Sequence, residues 1–297
     1  MPQSACWLRH AALLVGLLPI AWGPPASADT SASDHSRTPR LASCSERYSL
    51  LAALRPRHVL QTAKEAIRED FASTRDWGTE SNAELLGALT SGLPEPALRA
   101  HYPRNSSSPS DADQQVVPRG GLGFYTKEKN LQDTDRACLH YRLRFEANFD
   151  FVKGGKLPGL YGGDAPSGGE EVTGENGFSL RLMWRKEGQG ELYAYTVGHE
   201  GDSLGRGNWY FPTGRWVTVE QEVVLNTPGE ENGVVRVWID GWPVLEQRNL
   251  VYRTTPDVSI DGIMFSTFFG GTGEEWRTPH DQHADFSAFR LYAPEPR

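Results

Sequence analysis

The chain has 297 residues, a formal net charge of −8 and an isoelectric point near 5.5. Nucleic-acid binding leaves a basic footprint, so that function class is excluded, although locally concentrated Arg and Lys still permit an anionic ligand. With 31 Gly and 20 Pro the chain must turn often, and nine Trp, ten Tyr and twelve Phe supply the apolar area of a real core, so a β-rich fold is favoured over a helical bundle.

Arg9 and His10 precede an apolar run from Ala11 to Trp22 that is too short to span a bilayer. Ala26-Ser27-Ala28 then offers a small-residue cleavage site. Residues 1–28 therefore read as an export signal, with a mature start at Asp29 and a secreted or periplasmic product. No later segment is apolar enough to cross a membrane, so no membrane association is expected after cleavage. Loss of Cys6 leaves Cys44 and Cys138, and an exported chain with two cysteines invites one disulfide, although spacing does not show that they meet. Leu41-Ala42-Ser43-Cys44 superficially resembles a lipoprotein box, but a polar stretch separates it from the apolar run and lipidation is rejected.

Residues 29–44, rich in Ser, Thr, Arg and Pro, read as a linker. Residues 45–115 read as a helical N-terminal segment. Leu50, Leu51, Leu54, Val59, Leu60, Ala63 and Ile67 recur at three- and four-residue spacings with Pro56 as a break, and a short helix is predicted over 83–89. Asn105-Ser106-Ser107 is a glycosylation sequon in a loop that runs to Ser110.

From 116 to 297 the signal is β. Leu139, Tyr141, Leu143 and Phe145 alternate with His140, Arg142, Arg144 and Glu146, the period of a half-buried strand. Further strands are predicted over 178–184, 191–197, 216–225, 234–240, 260–268 and 286–292, with Asp240-Gly241 as a tight turn. Many short strands without interleaved helices predict an all-β protein, an antiparallel β-jelly roll sandwich carrying the short helical segment in front of it.

The chemistry concentrates between 154 and 195. A Gly-rich loop holding Lys156 is followed by Ser179-Leu180-Arg181 and by Tyr193-Ala194-Tyr195, with a hairpin turn predicted at 185–190. Strand parity puts Ser179 with Arg181 and Tyr193 with Tyr195, while Phe178, Leu180, Leu182 and Trp184 take the opposite face. If odd-numbered residues pair with odd, a hydroxyl, a guanidinium and two phenols share one surface that Lys156 can join. β-Elimination on a uronic acid needs such a set: a cation to neutralise the carboxylate, a base for the C5 proton and an acid for the leaving O4. Tyr can act as base or acid from an ordinary pKa of about 10, and neighbouring cations are expected to lower it. Ser179 would orient the carboxylate. Taken singly, each residue is as readily an aromatic strand face or a solvated charge; the shared face carries the inference.

The run Gly154-Gly155-Lys156-Leu157-Pro158-Gly159-Leu160-Tyr161-Gly162-Gly163, followed by Phe178 to Arg185 and Gly190 to Tyr195, resembles polysaccharide lyase family 14, the alginate lyase-like group, and is similar to the related family 20 glucuronan lyases. Phe265 to Gly271, with Trp276, fits the same set, and the likeness covers roughly residues 116–293. It implies a jelly roll whose concave sheet binds an acidic polysaccharide, with Lys156, Ser179, Arg181, Tyr193 and Tyr195 in the catalytic positions. Which residue is base and which acid stays open.

Other motifs are weaker. Glu170 and Glu171 are adjacent and point apart on an extended chain, a poor start for the carboxylate pair of a glycoside hydrolase. His280, Asp281, His283 and Asp285 match no zinc spacing. No cofactor is expected; a structural calcium ion held by loop carboxylates is compatible with an exported jelly roll. Arg142 and Arg144 are candidates to extend a basic groove. The expectation is a monomeric secreted polysaccharide lyase acting on an alginate- or glucuronan-type polyuronate, with a non-catalytic carbohydrate-binding protein and a glycoside hydrolase as rivals.

Overall fold

Two antiparallel sheets face each other across one apolar core in the computed structural model, which describes residues 41–295 apart from 58, 59, 116 and 133. The predicted signal segment and most of the linker lie outside the described residues. In chain order the elements are α1 (Cys44–Arg47), β1 (Ser49–Leu54), α2 (Ala63–Glu69), β2 (Ser73–Trp77), β3 (Ala83–Leu86), α3 (Ala88–Ser91), β4 (Ala97–Tyr102) and α4 (Pro109–Asp113). Then come β5 (Leu122–Thr126), β6 (Arg136–Phe145), β7 (Gly154–Gly163), β8 (Gly177–Arg185), β9 (Gly190–Thr196) and β10 (His199–Leu204). The chain ends with β11 (Val217–Val224), β12 (Gly233–Ile239), β13 (Trp242–Leu250), β14 (Gly262–Phe269) and β15 (Gln282–Ala293). One sheet runs β13-β12-β11-β6-β15-β4-β3, with β1 also paired to β15; the other runs β10-β9-β8-β7-β14-β5-β2. This is the expected all-β jelly-roll sandwich.

Alternation builds the core. Phe178, Leu180, Leu182 and Trp184 of β8 point inward and pack in one cluster with Leu139, Tyr141, Leu143 and Phe145 of β6 from the facing sheet. The other face of the seven-stranded sheet, which carries Ser179, Arg181, Tyr193 and Tyr195, is thereby left to form a surface of its own. Asp240 and Gly241 both have positive φ, as the tight β12–β13 turn requires.

Two expectations are corrected. Residues 45–115 are not a helical segment: β1 to β4 belong to the two sheets, and only α1 to α4 are helical, none longer than the seven residues of α2. The Leu- and Ala-rich composition favours helix locally, but β1 pairs with β15 and β4 lies between β3 and β15, so tertiary pairing overrides propensity. The sandwich therefore starts at β1, well before residue 116. The Gly-rich loop holding Lys156 is likewise a strand, β7. Its glycines serve close approach: a Cβ on Gly155 would fall 2.1 Å from the Trp184 ring, and one on Gly159 would fall 1.8 Å from the Leu180 carbonyl oxygen.

Cys44 and Cys138 are joined in a disulfide that ties α1 to β6 across 94 positions of sequence. Among the described residues no helix is long and apolar enough to cross a membrane.

Candidate functional site

Register places the five candidate residues. On β8 and β9, Ser179 lies opposite Tyr195 and Arg181 opposite Tyr193, the odd-with-odd pairing that strand parity required. Lys156 lies opposite Met183 and Gly159 opposite Arg181, so β7 fits one residue more than β8 between those two pairs. That β-bulge at Leu157-Pro158 decides where the lysine points. In a regular strand Lys156 and Leu160 would share a face, and Leu160 is core. With the extra residue Leu157 and Leu160 both enter the core, while Lys156 turns to the outward face beside Arg181 and Tyr193.

The facing sheet supports the bulge. Gln221 of β11, fully buried, accepts from the Leu160 N–H at 2.7 Å and donates to the Leu180 carbonyl at 2.8 Å. The Tyr141 hydroxyl donates to the Pro158 carbonyl at 3.3 Å. Backbone groups left without ladder partners are thus satisfied from across the core.

On the outward face Lys156 Nζ sits 2.9 Å from Met183 Sδ and 3.3 Å from the centroid of the Tyr193 ring. Burial lowers its pKa far below the ordinary lysine value, the charges of Arg181 and Arg185 push the same way, and Glu191 only partly opposes them. Glu191 is fully buried yet not paired with Lys156. Its Oε1 accepts from Arg185 at 2.6 Å, and its Oε2 accepts from Arg206 Nε at 2.5 Å and Ser203 at 2.9 Å. Burial pushes Glu191 up, but these bonds reverse it and hold the carboxyl below its usual range. The lysine is therefore left without a carboxylate partner to hold its proton.

Arg181 is 4% exposed, and its Nε has no hydrogen-bond partner among the described residues. Burial lowers its pKa against the opposing influence of the Tyr125, Tyr195 and Tyr193 phenols; a guanidinium starts so high that it stays charged. A buried cation with an unsatisfied N–H is chemically suited to bind a carboxylate.

The tyrosines differ from expectation. Tyr193 is pushed up to about 12, by burial first and by Tyr195 next, and the pull of Arg181 and Arg185 in the other direction does not win. The predicted lowering of a tyrosine pKa by neighbouring cations is thus overturned at Tyr193: desolvation outweighs charge. The Tyr193 and Tyr195 rings meet edge to face at 5.5 Å. Both hydroxyls lie beside Gly201, where a Cβ would approach them to 2.7 and 3.1 Å. Gly201 occupies a second bulge, on β10, with φ of 97°.

Ser179 and Tyr195 hold the loop that follows β7. Ser179 Oγ donates to the Pro166 carbonyl at 2.6 Å, and Tyr195 Oη accepts from the Gly169 N–H at 2.8 Å. Both side chains are buried under this loop. Ser179, expected to orient a carboxylate, commits its one proton to Pro166.

Residues 91–289 match the family model of polysaccharide lyase 14. The alginate lyase of that family from the marine Aplysia kurodai has a similar structure, with 32% identity, a TM-score of 0.72, and coverage of 83% of this chain and 100% of that one. The chain belongs to polysaccharide lyase family 14. Two alginate lyases share the fold of this family 14 lyase at lower identity. Aly36B matches at 23% identity and TM-score 0.65 over 81% of this chain and 96% of its own, and vAL-1 from Chlorella virus at 19% and 0.65 over 82% and 99%. No curated protein sequence matches.

Sequence reasoning missed Met183, Arg185 and Glu191 in this lyase, although strand parity with Arg181 and Tyr193 was the signal that could have found them. It also missed Gln221, which no local pattern marks. Arg142 and Arg144 do not join the site: they lie on β6 of the other sheet, where Arg144 pairs with Asp285 at 2.7 Å. The His280–Asp285 motif is dispersed, with Asp281 accepting from the Arg104 N–H at 2.7 Å and His283 facing Glu146 at 3.4 Å. Among the described residues the metal-competent trio that comes together is Cys44, Cys138 and Glu220, and its two sulfurs are already spent in the disulfide. Glu170 is exposed in the loop, its carboxylate accepting from the Ser167 N–H at 2.7 Å.

Proposed function

We propose that this lyase cleaves an alginate-type polyuronate by β-elimination at the outward face of the seven-stranded sheet. The observation that carries the proposal is one face holding a buried, unpaired guanidinium, a depressed-pKa amine and a high-pKa phenol. Arg181 binds the uronate carboxylate and stabilises the charge that builds up as C5 loses its proton. Lys156 accepts that proton as a neutral amine. The C5–H electron pair becomes the C4=C5 double bond, the C4–O4 bond breaks, and the Tyr193 phenol protonates O4. The ammonium and phenolate so formed return to their starting states through solvent. Ser179 and Tyr195 hold the loop over the site, and Tyr195 also fixes the Tyr193 ring.

Alginate as substrate is supported by the 32%-identical alginate lyase of Aplysia kurodai. Export to an oxidising compartment is supported by the Cys44–Cys138 disulfide together with the signal-like N-terminus. A monomer is part of the same proposal, as is activity without an added cofactor.

The test is incubation with alginate and with glucuronan while following the ultraviolet absorbance of the new C4=C5 bond. Absorbance growth with wild type and its loss in Arg181→Ala are expected. Reducing ends without absorbance would mean hydrolysis, and binding without either product would mean a carbohydrate-binding protein; either result overturns the proposal.

A further inference from the structure

One row of directly paired residues crosses all seven strands of the site-bearing sheet: Arg75, Tyr125, Met264, Gly159, Arg181, Tyr193 and Ser203. Directly opposite residues on adjacent strands share a face, so Arg75 on the edge strand β2 looks out on the same side as Arg181. Four strand spacings of about 4.8 Å separate them, roughly 19 Å along the sheet. The Arg75 guanidinium stacks 3.7 Å from the centroid of the Tyr125 ring, and the Tyr125 ring meets Tyr161 edge to face at 5.4 Å. Tyr125 lies between the two arginines along this row.

Charge pairing separates these cations from their neighbours. On this face Arg185 and Arg206 are spent on Glu191, and Lys153 pairs with Glu275 at 3.3 Å. Arg75 and Arg181 have no carboxylate partner among the described residues; the Arg75 side chain makes only a 3.5 Å hydrogen bond to the Asp164 carbonyl. Arg75 is exposed, and its stacking on Tyr125 holds the guanidinium in place while leaving its N–H edge open. A chain of net charge −8 repels a polyanion overall, so fixed unpaired cations aligned on one row determine where such a polymer can lie.

We infer that Arg75 and Tyr125 form a distal carboxylate-binding position for a polyuronate chain that crosses the strands and occupies Arg181 at the same time. The inference rests on the lyase proposal for the direction of the chain and adds a second anchoring point to it. Arg75 binds one uronate carboxylate through its open edge, and Tyr125 presents its hydroxyl to the same sugar.

The experiment compares Arg75→Ala and Arg75→Lys with wild type on long alginate and on an alginate trisaccharide too short to reach both arginines. Arg142→Ala, altered on the opposite sheet, serves as control. For Arg75→Ala a KM increase of about 3- to 10-fold on polymer is expected, with kcat unchanged, no KM change on the trisaccharide, and a difference that shrinks as salt is raised. Arg75→Lys should keep part of the affinity. Equal KM for wild type and Arg75→Ala on polymer, or equal losses on polymer and trisaccharide, would overturn the distal position. Retardation of the same variants in alginate-containing native gels is the second readout. If wild type produces no unsaturated sugar, the lyase proposal fails, while the gels still decide: the retardation caused by alginate, relative to an alginate-free gel, must be smaller for Arg75→Ala than for wild type, and equal retardation refutes the position.

Discussion

Lys156 rests its nitrogen 3.3 Å from the centre of the Tyr193 ring, yet this contact does not restore its ordinary lysine pKa. A desolvated cation–π contact returns about 2 kcal/mol, whereas an ion moved out of water loses several kcal/mol. Burial and the two flanking arginines therefore win, which is what the proposed role of Lys156 as base requires.

The pH profile of kcat/KM should follow from that balance. Protonation of Lys156 removes the base, so activity falls as pH drops through its depressed pKa, well to the acid side of the ordinary lysine range. The alkaline limb belongs to Tyr193, whose loss of its proton near 12 removes the acid. An acid limb at the usual lysine value would refute the assignment.

Lys156→Met should abolish turnover and stabilise the fold. The folded lysine holds its proton less tightly than the unfolded one, so between the two pKa values unfolding takes up a proton. Wild-type stability then rises with pH between the folded and unfolded pKa values and is lost as pH falls. Removing the buried amine should gain about 0.5–2 kcal/mol in urea unfolding at pH 7 and flatten that slope. A destabilised variant would contradict this account.

Gly201→Ala should cut kcat by roughly 10²-fold, because its Cβ displaces both phenols at the bulge. Gly198→Ala is the matched control: φ is 76° there as well, but nothing lies within 4 Å of the added carbon. Backbone strain alone, about 1–2 kcal/mol, should reduce its stability without an effect on kcat. Similar kinetics for the two variants would show that the phenols tolerate displacement.

Gln221→Leu should cost about 1–3 kcal/mol for each of the two backbone groups it leaves unpaired, read from urea midpoints. It should also lower kcat with little change in KM, since the bulge that aims Lys156 is loosened while Arg181 stays in place. Full activity at reduced stability would confine Gln221 to a structural role.

Replacing both Cys44 and Cys138 by Ser should lower stability by about 2–5 kcal/mol and leave turnover at low temperature unchanged, because the disulfide lies on the sheet opposite the site. Thermal unfolding with and without reductant checks it; identical transitions would show that the bond contributes nothing.

Alternation of apolar and polar residues along 139–145, 178–184 and 191–197 was enough to specify strands, their buried faces and the common face of Ser179, Arg181, Tyr193 and Tyr195, because side-chain direction in a strand has a strict period of two. The sequence by itself thus determined a β-sandwich with a polyanion-suited surface. Tertiary structure alone decided four things. It made strands of the helix-like N-terminal segment, through pairing with β15 and its neighbours. It turned Lys156 outward, because a bulge shifts the period by one and is sustained by Gln221 from the other sheet. It engaged Ser179 with Pro166 and left Arg181 unpaired. Finally, it raised Tyr193 rather than lowering it, because desolvation depends on what packs around a group and not on what is adjacent in sequence.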